Sequence, residues 1–119
     1  MRAAGIWRFV REDRGAWDRE RLLIVVLDQT QQIVGVGEVP AATVTAEEVR
    51  RILRGIALTR AAGFVSVHSQ PAGSRSAKDA AVLRRLKTIA KEIGVPLLDH
   101  VRFRRGRCDT MTPGGRGRW

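Results

Sequence analysis

The chain has 119 residues, of which 44% are hydrophobic, a length and composition that suit one domain with a modest core. No stretch approaches the roughly 18 to 20 continuous apolar residues of a membrane helix, and Met1–Val10 carries charge without a signal-peptide core, which argues against membrane insertion and secretion. The formal net charge of +10 points toward a polyanionic partner such as nucleic acid, although nearly all of it is arginine, a bias that a GC-rich genome also produces.

In chain order, residues 6–10 suggest a short strand and residues 11–20 a charged turn or short helix. Residues 21–28 read RLLIVVLD, the continuous apolar run of a buried strand. After a polar turn, residues 33–39 (IVGVGEV) predict a second strand in an antiparallel hairpin with the first. Thr45 and Glu48 form a capping-box pattern that opens a helix. Val49, Ile52, Leu53 and Ile56 then recur at helical spacing, and Gly63 is a plausible stop. Residues 64–69 (FVSVHS) predict a strand and residues 70–75 a loop. Ser76 can cap a second helix with Asp79 in its first turn, and Leu83, Leu86, Ala90 and Ile93 form its apolar stripe. Gly94 and Pro96 end that helix, and residues 97–104 predict a last strand. Residues 105–119, rich in arginine and glycine, form a tail expected to fray. The order β-β-β-α-β-α-β indicates an α/β fold, a mixed sheet with flanking helices. The single cysteine, Cys108, cannot form an internal disulfide and fits a reducing, cytoplasmic setting as an inert thiol.

Some polar residues sit where an apolar core is expected. Alternation puts Glu38 on one face with Val34 and Val36, flanked by Gly35 and Gly37, which leave room for another backbone or a ligand. Alternation also groups Phe64, Ser66 and His68. Glu38 and His68 both end strands, and a helix between those strands permits a parallel crossover that sets the two ends side by side. Ser76 and Asp79 open the following helix, so Glu38, His68, Ser76 and Asp79 can converge on one cleft. Each also has a plainer reading: Glu38 as a solvated strand end, His68 as a hydrogen-bonded core histidine, Ser76 and Asp79 as helix caps.

Several ordered motifs carry a resemblance. GEV at 37–39, HSQPAG at 68–73, SAKD at 76–79, GVPLLDH at 94–100 and ERLLIVVLDQTQQIVG at 20–35 resemble RadC-like domains, the bacterial branch of the JAB/MPN/JAMM metallopeptidase-like family. The resemblance implies the JAB/MPN architecture, which is cytidine deaminase-like, for residues 1–104, with 105–119 as the tail. It also implies a zinc-dependent hydrolase, and the family is associated with DNA repair. In the family a glutamate acts as general base. Two histidines of a His-x-His motif and the aspartate of Ser-x-x-Asp hold zinc, and the serine assists the oxyanion. Carried over by position, Glu38 matches the base, His68 the first histidine, Ser76 the serine and Asp79 the last ligand.

This chain departs from that pattern in two places. Gln70 stands where the second histidine belongs, and an amide oxygen is a poor zinc ligand. Five residues, rather than the family's seven, separate Gln70 from Ser76. Zinc binding is therefore expected to be weak or absent and hydrolysis impaired or lost; an active hydrolase using Glu38 is the alternative. His100 matches a family residue outside the metal triad and is set aside as a ligand. A further alternative is a basic nucleic-acid-binding module. Arg84, Lys87 and Lys91 fall on one helix face, and Arg102, Arg104, Arg105 and Arg107 extend the charge along the last strand and tail.

Overall fold

A computed structural model describes residues 19–55, 60–70, 76–104 and 107–110. Within this range, β1 (Arg21–Leu27), β2 (Ile33–Val39), β3 (Gly63–Ser69), β4 (Leu97–Arg104) and β5 (Arg107–Thr110) form one mixed sheet in the order β2-β1-β3-β4-β5. Two helices, α1 (Ala46–Arg54) and α2 (Ser76–Ile93), accompany it. β1 is antiparallel to both β2 and β3, β3 and β4 run parallel, and β5 returns antiparallel to β4. The expected α/β class and mixed sheet are what the chain adopts. The strand expected at residues 6–10 lies outside the described residues.

β1 takes a central place because six of its seven residues are buried, as the unbroken apolar run requires. Its position separates β2 from β3. Those strands point the same way but are not neighbours, so the expected side-by-side crossover is replaced by two antiparallel pairings through β1. The turn from β1 to β2 is built by Asp28, whose Oδ1 accepts from the Thr30 backbone and hydroxyl and from the Gln32 backbone. Gln31 takes φ 64° there.

Both helices pack on one face of the sheet. Leu22, Ile24, Val26 and Phe64 meet Val49 and Leu53 of α1 and Val82, Leu86 and Ile89 of α2. Burying each such side chain contributes roughly 1.5–3 kcal/mol. Gly37 permits the close approach of α1, since a Cβ at that position would lie 2.5 Å from Ile52 Cγ1. Gly37 thus serves helix packing rather than ligand access. On the opposite face Leu23, Val25, Leu27, Val65, Val67, Val101 and Phe103 form a second buried cluster.

The capping box opens α1 as expected: the Thr45 side chain accepts from the Glu48 backbone, and the Glu48 carboxylate reaches back to the Thr45 backbone. This helix stops at Arg54 with Gly55 as its cap, earlier than the apolar spacing through Ile56 suggested; residues 56–59 lie outside the described range. Gly94, at φ 72°, ends α2 in the left-handed region that glycine tolerates. β5 lies beyond residue 104, where the tail was expected to begin, and the backbone of Arg104 pairs with that of Arg107. No helix among the described residues is long and apolar enough to cross a membrane.

Candidate metal centre

The strand registers decide which polar residues meet. Leu22 pairs with both His68 and Val39, whereas Leu23 pairs with both Val67 and Glu38. Cross-strand partners share a face and successive residues alternate. His68 therefore points to the helix-covered face and Glu38 to the other. The Glu38 carboxylate is exposed and is held by Arg21, with Nη2 at 3.0 Å and Nε at 3.2 Å, and by Arg19 at 3.7 Å. It does not join His68.

Three other elements do supply partners. The first turn of α2 brings Asp79 under β3, where its Oδ1 lies 2.8 Å from His68 Nδ1. The parallel pairing of β3 with β4 puts His100 in register with Ser66. His100 Nε2 lies 2.8 Å from the same Asp79 oxygen, and its Nδ1 lies 2.5 Å from Ser66 Oγ. At the near end of β1, Glu20 Oε2 lies 3.0 Å from His68 Nε2, and Glu20 Oε1 lies 3.3 Å from Lys78 Nζ. Ser69 positions this carboxylate by clamping the backbone around it. Its hydroxyl accepts from Arg21 N at 2.7 Å and donates to Arg19 O at 2.9 Å.

A continuous hydrogen-bonded chain results, running Lys78–Glu20–His68–Asp79–His100–Ser66. His68, Asp79, His100 and Ser66 are fully buried. Both ring nitrogens of His68 face carboxylate oxygens, so the two contacts are both hydrogen bonds either when the doubly protonated ring donates to each or when one carboxyl carries a proton and donates it to the bare ring nitrogen. His100 is satisfied as the neutral ring, donating from Nε2 to Asp79 and accepting at Nδ1 from the Ser66 hydroxyl. Burial pushes the Asp79 carboxyl upward, but the hydrogen bonds it accepts from His100 and His68 hold it below the ordinary carboxylate range. Glu20 follows the same pattern more mildly: partial burial raises it, and His68 and Lys78 more than offset that.

His68, Asp79 and His100 each offer a donor atom, and these atoms lie within 4.8 Å of one another. Imidazole and carboxylate are donors that zinc accepts. Asp79 Oδ2 is buried and takes no hydrogen bond among the described residues. The donor set therefore fits a metal ion. It does not fit an open hydrolytic centre equally well, because such a centre keeps a coordination position for water, and all three residues are sealed.

A family model for the RadC-like JAB domain matches residues 2–111. The chain belongs to the RadC-like JAB domain family. Bacterial relatives include UPF0758 proteins from Coprothermobacter proteolyticus (30% identical over 87 residues, 70% of this chain and 37% of that protein) and Vibrio cholerae (28% over 97 residues, 78% and 62%). A third, from Trichormus variabilis, is 31% identical over 98 residues, 79% of this chain and 40% of that protein. This RadC-like chain thus spans 37% to 62% of the length of these relatives.

Of the residues singled out from sequence, His68 and Asp79 meet as expected. Gln70 is buried directly after β3, and its backbone N–H bonds Phe103 O at 3.1 Å. Ser76 opens α2, but its side chain lies outside the described range, as do the side chains of Arg104 and Arg107 and all of Arg105. Arg84, Lys87 and Lys91 are exposed on α2. Arg102 is half-buried in β4, in register with His68. Sequence reasoning missed Glu20 and set His100 aside. The signal for Glu20 was present: antiparallel pairing of residues 21–27 with 63–69 brings the start of one strand to the end of the other. For His100 the signal was a second buried-strand histidine at a position where β3 and β4 run parallel.

Proposed function

We propose that this RadC-like domain keeps the carboxylate–imidazole centre of a metal-dependent hydrolase in a form that binds a divalent ion weakly and hydrolyses poorly or not at all. The observation that carries this reading is the closure of the cluster upon itself. Every ring nitrogen of His68 and His100 already has a protein partner, so an ion must displace hydrogen bonds that a preformed open site would not contain. Gln70 in place of the second histidine and the distance of Glu38 from His68 point the same way. A bound ion would be held by His68, Asp79 and His100 and would act as a Lewis acid. Glu20, rather than Glu38, is the carboxylate placed to accept a proton beside His68. Ser76 keeps its assignment as the residue that would assist an oxyanion. A cytoplasmic setting belongs to the same proposal and rests on the single cysteine.

Elemental analysis of protein purified with zinc supplied, paired with hydrolysis of a peptide and isopeptide panel, tests the proposal. We expect well below one zinc per chain after dialysis and little turnover. Near-stoichiometric zinc with turnover that Glu20→Gln abolishes would instead establish an active hydrolase.

A second reading is favoured by the outer face of α2. Arg84, Lys87 and Lys91 are exposed and make no ion pair among the described residues. Arg84 and Arg85 line an open groove of ≈ 510 Å³ between α2 and residues 44–46. Such a stripe suits non-specific contact with nucleic-acid phosphates, with Arg102, Arg104, Arg105 and Arg107 as further contributors, and a part in DNA repair belongs to this reading. Duplex and single-stranded binding measured across salt concentrations, with Arg84, Lys87 and Lys91 changed together to alanine, tests it. The salt slope should fall by roughly one unit for each phosphate that is no longer neutralised. An unchanged slope rejects the α2 face. Substitution is preferable to cutting after Gly106, because truncation would also remove β5.

A further inference from the structure

Within the hydrogen-bonded chain, Glu20 is the link between the buried ligands and solvent: its side chain is 22% exposed, whereas His68 and Asp79 are at 0%. Lys78 sits immediately before Asp79 in the first turn of α2, 53% exposed, with Nζ 3.3 Å from the Glu20 oxygen that does not face His68. One carboxylate is thus shared between a buried ring and a surface ammonium. Glu20 is fixed from behind by the Ser69 clamp, and Lys78 is fixed by the helix that also delivers Asp79. By contrast, the arginines at 19 and 21 reach Glu38 on the other side of the sheet, and Glu20 faces the Lys78 ammonium through one oxygen and the His68 ring through the other.

We propose that Lys78 is a tethered cation that closes the centre by holding Glu20 across His68, and that, among the described residues, it is the group a divalent ion displaces to reach His68 from solvent. This rests on the metal-binding reading above. The physical case has two parts. The ammonium occupies the outer carboxylate oxygen, and its unit charge repels an incoming divalent ion at short range. The closure is nevertheless reversible, because an exposed lysine–carboxylate pair is worth little and its four-carbon stem swings freely. The affinity of the site is therefore set in part by a residue that contributes no ligand. Lys78 is a positioning residue, and Glu20 is the group it positions.

Zinc competition against a chelator is measured for the full chain and for Lys78→Met, Lys78→Arg, Glu20→Gln, the Glu20→Gln/Lys78→Met pair, and Arg51→Met as an exposed control on α1. Lys78→Met should tighten zinc about tenfold, the scale of removing one nearby unit charge, while Lys78→Arg and Arg51→Met stay near the parent. The gain should largely vanish in the Glu20→Gln background. Lys78→Met indistinguishable from the parent overturns the proposal. A metal-free readout separates it from the reading beneath it. In chelator-treated protein at fixed pH, the His68 Nε2 resonance should move in Glu20→Gln and in Lys78→Met but not in Lys78→Arg. If no protein takes up zinc, the metal-binding reading fails, and a His68 resonance that ignores Lys78→Met still refutes the closure on its own.

Discussion

Replacing Asp79 with alanine removes one carboxylate and strands two imidazole groups. Asp79 Oδ1 accepts from His68 Nδ1 and His100 Nε2, each at 2.8 Å, in fully buried surroundings. A buried donor left without a partner costs about 1–3 kcal/mol, so two cost about 2–6 kcal/mol. Losing a desolvated anion returns part of that, and a net loss of about 3 kcal/mol is expected. A chain of 119 residues has roughly 6–18 kcal/mol to draw on at typical stability per residue, so the variant should still fold. The sign of the pH dependence follows from Asp79 being held below its ordinary value in the fold. Its contribution is complete above the unfolded-state value, about 3.9, and is lost as pH falls through the lower folded-state value. The parent should therefore lose stability in acid below about pH 4 more steeply than Asp79→Ala, with Glu20 supplying a residual slope in both. Urea melts of chelator-treated protein from pH 3 to pH 7, read by circular dichroism with comparable m-values, provide the measurement. A loss under about 1 kcal/mol at pH 7, or parallel curves for the two proteins in acid, would refute the account of a satisfied His–Asp–His cluster.

Two further predictions concern the elements that support this cluster. Gly37→Ala forces the Ile52 side chain away from β2 and should destabilise the domain by about 1–3 kcal/mol, an overpacking penalty that Ile52→Ala in the same protein should partly relieve in a double-mutant cycle. Thr45→Ala removes the hydroxyl that accepts from the Glu48 backbone, leaves the backbone N–H at position 45 still facing the Glu48 carboxylate, and should cost about 1 kcal/mol in denaturant melts, while Thr45→Ser should stay close to the parent.

Sequence by itself determined the parts of this protein that depend on local or short-range physics. The buried character of β1 follows from its unbroken apolar run. The start of α1 follows from Thr45 and Glu48, and the end of α2 from Gly94. His68 and Asp79 were legible because one helix start follows one strand end by a short loop, which leaves few ways to separate them. Pairing between distant segments was decided only in the tertiary structure. Placing β1 between β2 and β3 turned Glu38 to the wrong face for His68, because a one-residue difference in register reverses the direction of a side chain. That same placement brought Glu20 to His68 across a separation of 48 residues. The parallel pairing of β3 with β4 brought His100 to Asp79, and the return of β5 was set by β4 rather than by any signal in the arginine- and glycine-rich segment. Local patterns fix which residues are buried and where elements begin and end. Which buried polar groups meet depends on strand order and register, and those arise from the cooperative packing of the whole sheet.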